Sequence, residues 1–450
     1  MNFRHNICKS VVNFLVASTC LFAVQSASAL SLIRDAEIEA YLKSWSKPIF
    51  QAAGLYVDNV EMLLVSSKDL NAFVAGGQNI FMHTQLLQRA DNPEQILAVI
   101  AHETGHIAGG HLNKQATELA AAQLKALAAT IIGVGASVLT EDSSAGILGS
   151  AAGSELARRN YLTFSRGQEQ VADQSAVAYL RSVGLPPNGA AEFMRILESE
   201  SRLYSSSGST YGTTHPLTRD RIQAMDTAVQ QSSFRGRKMS SQQHEEFKRI
   251  QAKLNGFILP YREVQRNYPA SDRSISAQYA HAIGIYRRGE LRRALPMMDN
   301  LLRAEPSNAY FHELKGQALL ENGYLKEAAF AYQQAVALLP SEPLFRVGLG
   351  HALIESNDQE AIRQGIGHVN AGLAVDRDDA SLWRLAATGY GKINQLGWSA
   401  LCLAERALIL GDYETAERQA KRAIEGLPNS TPGWQRAKDL RSTAIQSRKR

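Results

Sequence analysis

The stretch NPEQILAVIAHETGH at residues 92–106 predicts how the first half of this chain folds. Asn92 is a favourable N-cap and Pro93 suits the first helical position, and the apolar residues that follow recur at helical spacing. The glycine pair at 109–110 is typical of a helix end. We therefore expect one helix that carries the motif H-E-x-x-H in its last turns.

The H-E-x-x-H motif indicates a metal site. On a helix, His102 and His106 lie one turn apart on the same face and can bind one Zn²⁺, while Glu103 points towards the open coordination position. A catalytic zinc ion usually has three protein ligands and one water, so a third ligand must come from elsewhere in the chain. The sequence offers four candidates: His111, Glu169, Asp173 and His215.

Glu169 and Asp173 share a helix that the pattern predicts over residues 161–178. They are four residues apart, so their carboxylates lie on one face of that helix. An acidic pair on a helix is, however, more often a solvated surface than a pair of ligands. His111 follows the glycines that end the motif helix, and we expect a structural or partly buried role for it.

Three segments together resemble a known family: HETGH at residues 102–106, SRGQEQVAD at 165–173 and THP at 214–216. Their series is similar to that of the zinc endopeptidases that include the HtpX-type membrane protease and the prenyl-protein (CaaX) protease. The resemblance implies a zincin-like metalloprotease domain with one Zn²⁺ per chain.

The resemblance also implies roles for individual residues. It makes Glu169 the third zinc ligand and Glu103 the general base, and it makes Asp173 a residue that orients a ligand or transfers a proton. Two arginines follow the THP segment. Arg219 or Arg221 would either stabilise the oxyanion or pair with a structural carboxylate.

His215 follows a loop at residues 204–214 that is rich in Ser, Gly and Thr, and it precedes Pro216. A histidine delivered by such a loop can occupy the fourth zinc position and keep the enzyme latent until the loop moves. Transition-state stabilisation and a plain surface position are the two alternatives.

The second half of the chain is predicted to be helical, with a 34-residue repeat. Four residues recur at that offset: Gly289, Leu291, Ala294 and Pro306 reappear as Gly323, Leu325, Ala328 and Pro340. A later unit around Gly411 keeps the same internal spacing, and residues 350–378 fit a unit with a short insertion. This is the tetratricopeptide period, so we expect four repeats, with residues 247–267 as a candidate fifth. Such repeats stack into an α-solenoid whose concave surface holds another polypeptide.

The first 29 residues are predicted to be a signal peptide. Two basic residues precede an apolar run at 11–24, and Ala27-Ser28-Ala29 forms a cleavage site. We therefore expect a mature chain that begins at Leu30 and resides in the periplasm. Cys402 is the one cysteine that would remain, so the mature chain would have no internal disulfide.

Composition and pattern together predict two folded domains. Of the 450 residues 45% are hydrophobic, and a net charge of +5 offers no nucleic-acid footprint. We expect a mainly α fold: a metalloprotease domain at 30–235 with a small β-sheet from residues 60–65 and 79–82, then a repeat domain at 236–450. The mostly apolar residues 119–139 are expected to form a core or lid helix, with peripheral membrane contact as the alternative.

The order of signal peptide, protease domain and repeats resembles a periplasmic branch of the family. This resemblance implies unfolded or assembling outer-membrane β-barrel proteins, and their assembly machinery, as partners. We expect an endopeptidase that degrades misassembled proteins and assists assembly, with its substrates or partners held by the repeats. The alternative is a non-proteolytic assembly chaperone, which the intact Glu103 disfavours.

Overall fold

The computed structural model describes residues 32–75, 77–111, 166–203 and 215–449. The predicted signal peptide and residues 119–139 lie outside the described residues, as does the loop that precedes His215. Within the described ranges, no helix is both long enough and apolar enough to cross a membrane. The prediction of a mainly α chain with a small sheet and a helical repeat region is confirmed.

The sheet consists of four short strands, which are β1 (Leu32–Ile33), β2 (Met62–Val65), β3 (Ala72–Ala75) and β4 (Asn79–His83). Their order is β1-β2-β4-β3, so β3 is a terminal strand. β2 and β4 run parallel, whereas β1 pairs with β2 and β3 pairs with β4 in antiparallel fashion. The predicted strand segments correspond to β2 and β4. β1 has only two residues, and β3 begins and ends with alanine, a residue that gives little strand signal.

Six helices accompany the sheet in the first half: α1 (Ala36–Ala52), α2 (Thr84–Arg89), α3 (Pro93–Ala108), α4 (residues 166–182), α5 (Asn188–Leu203) and α6 (Arg219–Gln231). A 3-10 turn at Val57–Asn59 follows α1. Apolar side chains of α1, α3 and the sheet form one core, which Leu180 of α4 and Phe193 of α5 complete. The helix that carries the metal-site motif is therefore held from several sides.

Twelve further helices follow: α7 (Ser241–Ile258), α8 (Tyr261–Asn267), α9 (Ile275–Arg287), α10 (Leu291–Ala304), α11 (Ala309–Glu321), α12 (Leu325–Leu338), α13 (Pro343–Glu355), α14 (Gln359–Val375), α15 (Ala380–Lys392), α16 (Leu396–Ile409), α17 (Tyr413–Gly426) and α18 (Pro432–Arg448). From α9 onward they stack as antiparallel neighbours. The recurring Ala294 and Ala328 are fully buried where neighbouring helices touch. Small side chains at these positions let the helix axes approach closely.

Left-handed turns mark the repeat. Gly289 (φ +78°), Gly323 (φ +79°) and Gly411 (φ +71°) each join two helices, in a backbone region that favours glycine. Asn394 adopts the same conformation (φ +58°) between α15 and α16. Asn394 and Gly411 are 17 positions apart, half of the 34-residue period. The regular pairing is therefore broken at α16, which lies between two such turns.

The predicted insertion in residues 350–378 also has a structural counterpart. α14 is 17 residues long, whereas the corresponding α10 and α12 have 14 residues each. The extra residues thus extend a helix by nearly one turn and do not form a loop.

The two halves of the chain share packing. Phe247, Ile250 and Leu254 of α7 lie in the core of the first half, although α7 follows the predicted boundary at residue 236. At the start of α1, Ala36 packs against Ala309, Ala335 and Phe345 of the repeat helices. The sheet-bearing half is therefore braced by helices that come much later in the chain.

Candidate metal centre

α3 presents the two histidines of the motif. Its N-terminus forms as predicted, since Asn92 Oδ1 accepts a hydrogen bond from the backbone N–H of Gln95 at 3.0 Å and Pro93 follows the cap. His102 and His106 are buried one turn apart, and their Nε2 atoms are 3.1 Å apart. A helix with this start therefore places both imidazoles in one buried position.

α4 brings the acidic pair against these histidines. A Cβ atom on Gly105 would lie 3.0 Å from both the Cα and the carbonyl oxygen of Ala172, so Gly105 permits α3 and α4 to pack backbone to backbone. Glu169 and Asp173 flank Ala172 on α4, and both are buried. Because the two helices approach so closely, the acidic pair is buried beside the histidines and is not solvated.

Four side chains, His102, His106, Glu169 and His215, form a group whose candidate ligand atoms lie within 4.8 Å of one another. Glu169 Oε2 lies 3.3 Å from His102 Nε2, and Glu169 Oε1 lies 3.1 Å from His106 Nε2. Ligands bound tetrahedrally at about 2.0–2.1 Å from a metal are about 3.3 Å from one another. The spacing and the chemistry of these donors therefore fit a metal ion.

Glu103 lies beside this group without belonging to it. Its side chain is fully buried, and neither carboxylate oxygen has a hydrogen-bond partner among the described residues. The imidazole of His215 lies beside it, with its Nε2 atom 3.6 Å from Glu103 Oε1. A buried carboxylate left without a donor is costly unless water or substrate satisfies it.

Asp173 and Arg221 support the ligand group from behind. Asp173 Oδ1 lies 3.0 Å from His102 Nδ1, the ring nitrogen that faces away from the cluster. The Arg221 guanidinium donates to both Asp173 oxygens, at 2.7 and 2.9 Å, and its Nη1 lies 2.8 Å from Glu169 Oε2. Of the two arginines that the sequence offered, Arg221 is buried and pairs with carboxylates, whereas Arg219 is exposed.

The electrostatics of the site favour a bound cation. Burial opposes ionisation of Glu169 and Asp173, but it is outweighed: the adjacent histidines hold the pKa of Glu169 below its usual range, and His102 and Arg221 do the same for Asp173. Burial likewise opposes a charge on His102, yet the two carboxylates raise its pKa to about 10, and a bound metal ion would take the place of the proton that they attract. The pKa of His106 is lowered, mainly by burial. Two carboxylates thus stay ionised in a buried position.

His215 occupies the side of the cluster that faces the sheet. Its Nδ1 atom lies 3.0 Å from Glu169 Oε1 and 3.4 Å from His102 Nε2, and its Nε2 atom lies 3.2 Å from the carbonyl oxygen of Ala72. The residue is only 5% exposed, which rules out the plain surface position. Ala72 begins the terminal strand β3, so this strand lies beside the cluster.

The structure therefore brings together all six residues singled out for chemistry: Glu103, Asp173, His215, His102, His106 and Glu169. His111 also lies close by, behind His106 and not within the ligand group. The contact with the Ala72 carbonyl was not predicted. A backbone oxygen leaves no signature of its own, and only the segment NAFVAGG at residues 71–77 could have drawn attention to this strand.

Comparisons with known proteins find similarity in both halves of the chain. Residues 34–229 match the model of Peptidase family M48, and residues 279–343 match a tetratricopeptide repeat model. The chain is 25% identical over 418 residues to the Beta-barrel assembly-enhancing protease of Escherichia coli (strain K12), covering 89% of this chain and 79% of that protein.

Two further relatives are similar over different lengths. The Beta-barrel assembly-enhancing protease of Yersinia pestis is 24% identical over 424 residues, again covering 89% of this chain and 79% of the relative. Metalloprotease LoiP of Escherichia coli (strain K12) is 30% identical over 161 residues, which cover 35% of this chain and 58% of that protein.

Proposed function

Because this chain is a metallopeptidase in which a peptidase family M48 domain precedes tetratricopeptide repeats, we propose that it is a zinc-dependent endopeptidase of the periplasm. Its proposed task is to degrade misassembled proteins and to assist the assembly of outer-membrane β-barrel proteins. The observation that carries the proposal is the buried cluster of His102, His106 and Glu169, with Glu103 alongside.

In this proposal His102, His106 and Glu169 would hold one Zn²⁺, and its chemistry when bound would be to polarise the scissile carbonyl and acidify the attacking water. Glu103 would take the proton of the attacking water and pass it to the leaving amine, a role that suits a buried carboxylate with no competing donor among the described residues. Asp173 accepts the Nδ1 proton of His102 and so orients the ring. Arg221 pairs with Asp173 and Glu169, and its assigned role is to keep these two carboxylates in place.

We assign His215 to latency. Its position 3.0 Å from Glu169 and 3.4 Å from His102 is that of a fourth ligand, which would exclude the attacking water. Withdrawal of the imidazole from this position would open the site to water. Transition-state stabilisation is the competing role, and the two differ in the sign of the effect of removing the imidazole.

Strand β3 offers a way to bind the substrate. It ends the described sheet, and its Ala72 carbonyl lies next to His215. An extended peptide that paired with this edge would pass directly over the ligand cluster. Strand addition uses main-chain hydrogen bonds, so it suits an unfolded polypeptide of varied sequence.

The repeats are proposed to hold the substrate or partner. A cavity of about 780 Å³ lies between residues 33–38 and helices α7, α9, α11, α12 and α13. It is lined by both charged and apolar side chains, among them Arg287, Glu321, Tyr332 and Leu344. Such a mixed lining suits an extended polypeptide better than a small apolar ligand. The names of the full-length relatives make outer-membrane β-barrel proteins the proposed polypeptides.

The division of labour follows the proposed boundaries, with residues 1–29 as a signal peptide, 30–235 as the protease domain and 236–450 as the repeat domain. Support for a division comes from the peptidase match, which ends at residue 229, and the repeat match, which begins at residue 279. Periplasmic location is proposed from the N-terminal segment and from the relatives.

One variant distinguishes the enzyme from an assembly chaperone. Glu103→Gln should retain zinc but lose cleavage of an unfolded β-barrel protein, and it should fail to complement a deletion strain. Glu245→Gln, at an exposed carboxylate on α7, is the matched control and should behave as wild type. Full complementation by Glu103→Gln would favour the chaperone, and wild-type protein that neither binds zinc nor cleaves would refute the proposed function.

A further inference from the structure

His111 lies directly behind one of the two motif histidines. Its side chain is 4% exposed, and its Nδ1 atom is 2.9 Å from the Nδ1 atom of His106. The two rings meet edge to face, with centroids 5.0 Å apart and planes at 75°. A contact this short between two ring nitrogens requires that one of them carries a proton and the other accepts it.

The glycine pair at the end of α3 creates this contact. Gly110 has φ +63°, a left-handed conformation that turns the chain back on itself immediately after the helix. A Cβ atom on Gly109 would lie 2.6 Å from His111 Nε2, closer than any real contact. Residues 109–110 therefore do more than end the helix, because they leave the space that His111 needs.

The direction of the hydrogen bond follows from the position of His106. Its Nε2 atom faces the ligand group, 3.1 Å from both His102 Nε2 and Glu169 Oε1. A nitrogen that binds a metal carries no proton, so the proton of a neutral His106 is on Nδ1. His106 Nδ1–H then donates, and His111 Nδ1 accepts.

The two motif histidines are thus oriented by different partners. His102 has the carboxylate of Asp173 behind it, whereas His106 has a second imidazole. Partners of this kind fix the tautomer and the ring direction of a ligand, and their loss typically weakens metal binding 10–100-fold. Asp173 is held in turn by Arg221, and His111 is held by the glycine turn.

We propose that His111 is a positioning residue that accepts the Nδ1 proton of His106 and so preorganises that ring for the metal. The inference rests on the proposed zinc site and adds a residue to it that does not touch the metal. It also assigns a function to the spacing between His106 and His111, which brings the second imidazole back to the first.

The test is the zinc dissociation constant of the full mature chain, measured by competition with a chromophoric chelator after the metal has been removed. His111→Phe keeps a ring of similar size but removes the acceptor, and it should bind zinc about 10–100-fold more weakly. His111→Asn places its side-chain oxygen where Nδ1 was, and it should restore the affinity to within about threefold of wild type.

A second pair of variants tests the turn and does not alter His111. Gly109→Ala should displace the imidazole and weaken zinc binding in the same way, whereas Gly367→Ala, at a helical glycine with open space around it, should not. Circular dichroism of each metal-free variant verifies the fold. If His111→Phe cannot be obtained folded, the comparison of His111→Asn, Gly109→Ala and wild type decides.

The inference is wrong if His111→Phe and Gly109→Ala bind zinc as tightly as wild type, or if His111→Asn is as weak as His111→Phe. Those results would leave the proposed function intact, because wild type would still bind zinc and cleave. Failure of wild type to bind zinc would instead remove the proposed function itself. The two failures are therefore distinguishable.

Discussion

Lys253 Nζ lies 2.8 Å from Asp35 Oδ2, and this pair joins α7 to the N-cap of α1. Lys253 is 3% exposed and also lies 3.3 Å from Glu37 Oε2, which accepts a further hydrogen bond from the Tyr279 hydroxyl at 2.9 Å. Burial lowers the pKa of Lys253, but the adjacent carboxylates outweigh this and raise it well above its usual value. The cluster therefore ties the first helix to the repeat half through buried charges.

Loss of the buried cation should be costly. Lys253→Met leaves Glu37 buried without its ionic partner, and we expect the free energy of unfolding to fall by about 3–5 kcal/mol. Lys248→Met on the same helix removes a solvent-exposed pair with Glu245 and should cost less than ~1 kcal/mol. Denaturant titration of both variants measures the difference, and equal effects would contradict this account of the cluster.

Glu313 predicts a pH dependence of stability. Burial raises its pKa to about 7. The attraction of Lys253 acts in the opposite direction, but the repulsion from Asp35 and Glu37 offsets it. A carboxyl with a raised pKa holds its proton more tightly in the folded state, so its contribution to stability is present below about pH 4.5 and is lost as the pH rises to about 7.

Glu313→Gln should remove this dependence. The free energy of unfolding of the variant minus that of wild type should be about 1–3 kcal/mol larger at pH 8 than at pH 5. Denaturation midpoints at the two pH values provide the measurement. Glu414→Gln, at an exposed carboxylate on α17, is the control and should follow wild type at both. Parallel curves for Glu313→Gln and wild type would show that the carboxyl titrates normally.

His215 predicts a rate change whose sign is diagnostic. If its imidazole occupies the fourth ligand position, His215→Ala should raise the peptidase rate and promote self-cleavage while the zinc content stays constant. A role in the transition state would instead lower turnover by about 10²-fold or more. His312→Ala, at a partly exposed histidine of the repeats, controls for removal of an imidazole. A rate at or below that of wild type would refute latency.

A substitution at Ala328 should separate the capture of an unfolded protein from the cleavage of a short peptide. It is fully buried between repeat helices, so Ala328→Arg should overpack the array and weaken capture of an unfolded protein. Cleavage of a short peptide that does not need the repeats should stay within about twofold of wild type. Glu327→Arg changes the exposed neighbour and should affect neither activity. A parallel loss of both activities in Ala328→Arg would disprove the division of labour.

Much of this architecture could be predicted because its signals are local. The start of α3 depends on Asn92 and Pro93, which act within one turn, and the repeat depends on small residues at a fixed offset. The repeat unit that contains α16 was not predicted, because its left-handed turn is formed by Asn394 and not by a glycine as in the other units. An asparagine is common in many other settings, so it gives a weaker signal.

The candidate site was less predictable where it depends on helix packing. Spacing alone left Glu169 undecided, and its burial depends on Gly105 meeting Ala172 across the two helices. Lys253 and Glu37 were not predicted as an interior pair, because charged side chains on amphipathic helices usually face solvent. A pair of residues so far apart in the chain leaves no recognisable pattern in the sequence around either one.

The Lys253 cluster has a consequence for the order in which the molecule matures. Asp35 and Lys253 are 218 positions apart, and Tyr279 comes later still. A chain that emerges N-terminus first, from a ribosome or a translocation channel, exposes α1 long before its cationic partner exists. α1 shares a core with α3, so the hydrolytic centre should become complete only after the repeat half has arrived. A protease assembled in this sequence stays inert during its own biogenesis, when unfolded segments of the same chain would be its nearest substrates.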